Sequence, residues 1–326
     1  MENRDGVVHK PVLLNEVLYF WHCKKGGFFI DATVGTGGHT EALLHQDTEA
    51  RCLAVDCDPN AVLIAQKRLD KFGKRITLLK ENYLNLPKMI SELNFPKADG
   101  LLLDLGISSL QLESPERGFS FLRRGPLDMR MDPSSGETAA DLIHRLSVNE
   151  LADLIFSFGG ERCAKAIAFA LKNAQASQKL TDTLKCAEVI ASALFSKVGT
   201  KFQRGKWFSG KLHPATKTFQ ALRIAVNKEM DHLGKFLKEI PFLLASGGRA
   251  LFISFHSCED RLVKSALKGW EKGALHPLKF RILTPKVIKP LKTEIEKNPR
   301  SRSAKMRVAE GMEYPNSAGR PPFIFY

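Results

Sequence analysis

The chain has six cysteines in 326 residues and no Cys-x-x-Cys pair among them. Cys23, Cys52, Cys57, Cys163, Cys186 and Cys258 are scattered, several of them in apolar runs. That distribution argues against a zinc site or a disulfide frame and for reduced, packed thiols. The nine histidines show no ligand spacing either, so no metal is expected. No apolar run approaches the ~20 residues that a helix needs to cross a bilayer. Met1-Glu2-Asn3-Arg4-Asp5 lacks the apolar core of a signal peptide, and a soluble, cytoplasmic protein is expected. Acids are also short. Against 49 Lys and Arg stand 35 Asp and Glu, a formal net charge of +14. An excess of that size points to a polyanionic partner, most often nucleic acid.

With 44% hydrophobic residues, the chain can bury one large core or two moderate ones. It is organised around Phe28-Phe29-Ile30-Asp31-Ala32-Thr33-Val34-Gly35-Thr36-Gly37-Gly38-His39-Thr40. An apolar run meets a glycine cluster, and Thr40 to His45 then reads as helix. Strand, glycine turn and helix open a dinucleotide-type α/β fold. Arg51 to Asp56 is a second short strand ending in an acid. An acid at that spacing suits hydrogen bonds to the hydroxyls of a ribose. Asp58 and Pro59 start the next helix. The glycines do not form G-x-G-x-x-G, because position 40 is Thr. This favours S-adenosylmethionine, which has no phosphate to cradle, over a nicotinamide cofactor.

Further along, Pro11 and the apolar positions to Leu18 suggest a leading loop and a short helix lying over the cofactor pocket. Ile76–Leu79 and Ala98–Asp104 read as the third and fourth strands. Tyr83 follows the third and can cover an adenine face. Asp104-Leu105-Gly106-Ile107-Ser108-Ser109 ends the fourth. Ligands of open parallel sheets bind at such strand tips, where Gly37, Asp56, Tyr83 and Asp104 all fall. Residues 110–135 read as a long functional loop, and the stretch to about Lys197 as helices. Lys201-Phe202-Gln203-Arg204-Gly205-Lys206-Trp207-Phe208 mixes cations with aromatics, which suits RNA. Pro214 opens another helix. Ala250–Ser257 reads as a fifth strand ending near Ser254 and His256. Phe280–Leu283 and Ala304–Val308 are the last strands.

The chain resembles the bacterial ribosomal RNA small subunit methyltransferase H family over about residues 9 to 309. The resemblance is carried by Asp31–His39, Asp104–Ser109, Glu116-Arg117-Gly118-Phe119-Ser120-Phe121 and Gly125-Pro126-Leu127-Asp128-Met129-Arg130-Met131-Asp132. His213-Pro214-Ala215-Thr216 with Thr218-Phe219-Gln220-Ala221, and Ile253-Ser254-Phe255-His256-Ser257, complete it. It implies an α/β class I methyltransferase with a Rossmann-like sheet and an inserted all-helical domain. The methyltransferase domain would take residues 1–109 and 213–310, the insertion 110–212, and an irregular tail 311–326. The implied reaction is S-adenosylmethionine-dependent methylation of N4 of a decoding-centre cytosine, C1402, of 16S rRNA in the small ribosomal subunit. The resemblance implies that Gly37, Gly38 and His39 line the methionine part of the cofactor. It sets Asp56 on the ribose, Tyr83 at the adenine, and Asp104 and Gln111 near the sulfonium. Two positions depart from the family pattern: Leu110 stands where Pro is usual, and Tyr83 where Phe is frequent.

The amino nitrogen of cytosine is a poor nucleophile, so the site must position it and accept a proton as product forms. Asp104 and Ser108 are the expected catalytic residues, with Asp128, Arg130 and His256 as further pocket candidates. The target base must leave its stack. A catalytically idle RNA-binding protein on the same fold, and a nicotinamide-dependent oxidoreductase, are the competing readings.

Overall fold

The structure is a computed structural model that describes residues 11–22, 24–197, 213–273 and 277–314. The basic, aromatic stretch from Lys201 to Lys211 and most of the C-terminal tail lie outside the described residues. In chain order the elements are α1 (Leu14–Trp21), β1 (Phe28–Asp31), α2 (Gly38–Gln46), β2 (Arg51–Asp56), α3 (Pro59–Leu69), β3 (Ile76–Lys80), α4 (Leu86–Glu92) and β4 (Ala98–Asp104). Then come α5 (Ser109–Glu113), α6 (Ala139–Arg145), α7 (Val148–Gly159), α8 (Ala164–Ala176), α9 (Thr183–Lys197), α10 (Thr216–Val226) and α11 (Glu229–Leu243). The chain closes with β5 (Leu244–Ser254), α12 (Ser257–Lys272), β6 (Lys279–Ile282), α13 (Lys292–Lys297) and β7 (Lys305–Met312). Packing divides it into two compact units, residues 1–106 with 232–326, and residues 107–231.

The first unit is built, among the described residues, on a seven-stranded sheet in the order β3-β2-β1-β4-β5-β7-β6. β3, β2, β1, β4 and β5 run parallel, and β7 is antiparallel to both its neighbours. Both faces of β1 are buried, as its unbroken apolar run requires in a parallel sheet. Strand order reverses between β1 and β4, so the strand tips there flank a crevice. Trp21, Phe29, Leu43, Leu53 and Leu69 are fully buried around it. The tail expected from residue 311 begins later, because β7 continues to Met312. Gly311 pairs with Phe280, and a Cβ there would stand 2.7 Å from Leu278. The glycine marks close packing between β7 and the edge strand β6.

The second unit is helical. Phe119, Leu142, Leu151, Ile155, Ile167 and Leu171 form its core with residues of α9 and α10. Ser147 and Glu150 form a reciprocal capping box at the start of α7, and Thr138 and Asp141 do the same for α6. The sequence reading returned the chain to the sheet unit at residue 213; the packing returns it at residue 232. Phe219, Leu222 and Val226 on α10 explain the difference, because they join the helical core. The stretch read as loop from residue 110 contains α5 and is braced throughout. Arg117, buried, donates to the carbonyls of Arg130 (3.0 Å) and Met131 (2.8 Å). Asn227 accepts from the Met131 amide at 2.7 Å and donates to the Met129 carbonyl at 2.8 Å. Phe121 stacks on His213, centroids 4.5 Å apart, and meets Phe219 edge-on. Two sequence motifs far apart in the chain are thereby joined. No helix among the described residues is long and apolar enough to cross a membrane.

Leu222 is fully buried. Leu222→Ala is expected to cost about 2–5 kcal/mol. Hydrogen exchange should show the loss in α7 and α10 and leave the amides of β1 and β4 nearly as protected as before. Equal loss in the strands would contradict the division of the packing.

Candidate active site

The turn after β1 sets the site. Gly37 caps α2 with φ +83°, a conformation that only glycine adopts freely. A Cβ on Gly38 would stand 2.5 Å from the ring of Pro11. The segment before α1 therefore crosses the glycine turn at a distance that admits only hydrogen. It continues into Leu13, a non-glycine residue at φ +55°. Leu13 is fully buried, and its amide donates to Glu294 Oε1 at 2.9 Å. This holds the Val12 carbonyl 2.9 Å from His39 Nε2. The carbonyl can only accept, so Nε2 carries the proton. Nδ1 then faces the Asp104 carboxyl, 3.8 Å from Oδ2.

Acids end three neighbouring strands: Asp31 on β1, Asp56 on β2 and Asp104 on β4. Asp31 is buried and accepts from Thr40 Oγ1 at 2.6 Å and from the Thr33 amide at 3.3 Å. Burial nevertheless lifts its pKa to about 7. Asp56 accepts from the Gly35 amide at 2.8 Å and the Asp58 amide at 2.9 Å, which ties the glycine turn to the β2 tip. Its pKa is also lifted by burial, to about 6. The Asp104 amide donates to Thr33 Oγ1 at 2.7 Å. The Asp104 side chain is 24% exposed, yet Oδ1 is shielded and has no hydrogen-bond partner among the described residues. Burial, then the charges of Asp31 and Glu259, push this carboxyl well above its usual range. Glu259 belongs to the β5 side of the same edge. It is buried, and Oε2 accepts from the amides of Phe255 (2.7 Å) and His256 (3.2 Å).

Gly37, Gly38, His39, Asp56 and Asp104 thus converge on one edge of the first unit. Tyr83 stands past β3, half-buried, its ring 5.0 Å from that of Phe236. Ser108 and Gln111 open the second unit as a capping box on α5. The Ser108 hydroxyl accepts from the Gln111 amide at 3.2 Å, and Gln111 Oε1 accepts from the Ser108 amide at 3.0 Å. Asp128 and Arg130 form a two-pronged pair with each other, at 2.8 and 2.7 Å. That pair holds the Asp128 carboxyl below its ordinary range. His256 caps α12. Sequence reasoning missed Asp31, Thr33, Thr40 and Glu259. The repetition of an acid at the end of β1, β2 and β4 was the available signal for Asp31. Glu259 has the weaker signal of a glutamate three residues after a helix cap.

A mostly parallel sheet with a reversed β7, a glycine turn after β1, and acids at the β2 and β4 tips define a class I methyltransferase fold. The sequence profile of the MraW methylase family matches residues 6–312, and the chain belongs to that family. A ribosomal RNA small subunit methyltransferase H of Syntrophobacter fumaroxidans is 40% identical over 97% of this chain and 100% of its own length. The protein of the same name from Sorangium cellulosum is 43% identical, covering 93% of this chain and 91% of its own. Among solved structures, a putative rRNA methylase from Clostridium thermocellum covers 94% of this chain and 100% of its own, at 14% identity and TM-score 0.41.

The raised carboxyls make stability depend on pH. A group with a folded pKa above its unfolded value favours the folded state while protonated. For Asp31 that contribution is complete below about pH 4 and is lost as pH rises through about 7. The urea midpoint of the ligand-free protein should therefore carry a falling component across that window. Asp31→Asn should remove part of it. A slope as steep in the variant as in the parent would contradict the assignment.

Proposed function

We propose that this protein transfers a methyl group from S-adenosylmethionine to N4 of a decoding-centre cytosine of 16S rRNA in the small ribosomal subunit. In this reading it works in the cytoplasm. The shielded, unpartnered Oδ1 of Asp104 carries the proposal. A crowd of carboxyls with raised pKa values suits a ligand that brings positive charge, and S-adenosylmethionine has both a sulfonium and an ammonium. A dinucleotide would bring phosphates to the same acids and be repelled. The relatives' names support rRNA as the methyl acceptor.

S-adenosylmethionine supplies, when bound, an electrophilic methyl group. The chain's own residues do the rest. Gly37 and Gly38 let backbone approach the methionine part, with His39 beside it. A carboxylate has about four lone-pair sites, so Asp56 can accept from a ribose hydroxyl beyond the amides of Gly35, Cys57 and Asp58. Tyr83 offers an apolar face to adenine while its other side rests on Phe236. Asp104 serves the sulfonium end and, with a raised pKa, is suited to take the proton that leaves the cytosine amino group. Orientation of a weak nucleophile contributes more than proton transfer does.

The test is methyl transfer to small subunits that lack the modification, followed by nucleoside analysis. N4-methylcytidine is the expected product. Asp104→Ala should lower the rate at least ~100-fold with the fold intact. Asp56→Ala should raise KM for S-adenosylmethionine about 10–100-fold with less effect on kcat, since a hydrogen bond to a charged group contributes about 1.5–3 kcal/mol. Cofactor binding without transfer would favour an idle RNA-binding protein, and absence of cofactor binding would overturn the proposal.

A further inference from the structure

Part of the positive charge of the first unit is aligned on one helix. Helix α12 buries Glu259, Val263, Leu267 and Trp270. On its exposed side stand Arg261, Lys264, Lys268 and Lys272, at steps of three, four and four residues. They form one stripe, about 16 Å long at 1.5 Å per residue. None of the four has a hydrogen-bond or ion-pair partner among the described residues. The neighbouring acid, Asp260, is already neutralised by Arg307 at 2.7 Å and Lys305 at 3.3 Å, and its carboxyl is held low by them. Glu271 is the one acid on the rim.

A solvated helix face ordinarily interleaves acids with bases four residues apart, which stabilises the helix. Here Asp260, four residues before Lys264, is taken by Arg307 and Lys305, and the pairs Lys264 with Lys268 and Lys268 with Lys272 are of like charge and destabilise the helix. Packing draws no benefit from them, since all are exposed. The stripe also borders a cleft of about 240 Å³ lined by Lys264, Lys268, Glu271, Ile282, Pro285 and Arg307. Lys286, next in sequence to Pro285, is exposed. Cations over an apolar floor suit a nucleotide strand, with phosphates on the lysines and a sugar or base on Ile282 and Pro285. The stripe is well placed for this. α12 starts directly after the β5 tip, and Arg261 lies five residues beyond the capping His256, about 7–8 Å along the axis.

We infer that the Arg261–Lys264–Lys268–Lys272 face of α12, with the cleft beside it, grips the phosphates of the RNA strand whose base is methylated. The inference rests on the ribosomal RNA reading of the site, and the experiment separates the two. Lys264→Glu/Lys268→Glu is compared with the parent, and with Lys88→Glu on α4, an exposed lysine away from the stripe. Each is titrated with a protein-free 16S rRNA fragment and with small subunits at several salt concentrations, and with S-adenosylmethionine alone. The double variant should bind both RNA forms at least ~10-fold more weakly, with a log–log salt slope shallower by about 1.4–1.8. Affinity for S-adenosylmethionine should be unchanged. Lys88→Glu should bind RNA nearly as the parent does.

An unchanged slope in the double variant, with methylation by the parent intact, overturns this inference and leaves the proposed function standing. Equal losses in Lys88→Glu would reduce the effect to net charge and overturn it as well. A loss confined to assembled subunits would put a ribosomal protein on the stripe in place of RNA. A parent that binds no RNA overturns both readings. Lys264→Gln/Lys268→Gln, with a smaller loss in the same direction, guards against an artefact of reversed charge.

Discussion

Crowding of carboxyl groups at the tips of the parallel strands is the constraint on which the rest of the site depends. Asp31, Asp56 and Asp104 end adjacent strands, and Glu259 adds its charge at the β5 side. Like charges in a partly desolvated space cannot all remain ionised at ordinary cost. The fold meets this with hydrogen bonds from Thr40 and from the Thr33, Gly35 and Asp58 amides, and these offset only part of the cost of burying the charge. At Asp104 the shielded Oδ1 receives no such bond among the described residues. A cationic ligand relieves the crowding, so binding and stability are coupled through the same groups. The acids that would act on the substrate are thus also the ones that make the ligand-free state less stable.

Much of this was legible in the chain. Short apolar runs ending in Asp gave β2 and β4, because a strand buried on both faces has no polar alternation to confuse it. The glycine turn gave the start of α2, and Asp58 with Pro59 gave that of α3. The residues less legible are those whose role is set by distant partners. Nothing near position 13 announces that a leucine will take a left-handed conformation, since the cause is Glu294. Nothing near position 219 says whether a helix packs on the sheet or with the helical unit, because its apolar face would serve either. Ser108 and Gln111 illustrate a third difficulty. Their spacing is that of a capping box, which fixes the start of α5 whatever else the two side chains do.

The motif from Gly125 to Asp132 shows how an irregular segment can be as fixed as a helix. Arg117 and Asn227 together serve four of its backbone groups and carbonyls, and Asp128 and Arg130 satisfy each other. Met129 adopts φ +63° and is completely buried, so the strain is held by packing on all sides. Residues that look reactive in the sequence are here the fasteners of a loop, which leaves the strand-tip acids as the chemically underused groups of the chain.

The bond from the Leu13 amide to Glu294 joins the segment before α1 to α13, the helix that precedes β7 in the chain. During synthesis the glycine turn emerges more than two hundred residues ahead of the carboxylate at position 294 that sets the Val12 carbonyl against His39. A nascent chain arrested before α13 would carry every glycine of the turn without the clasp that orients the histidine over it.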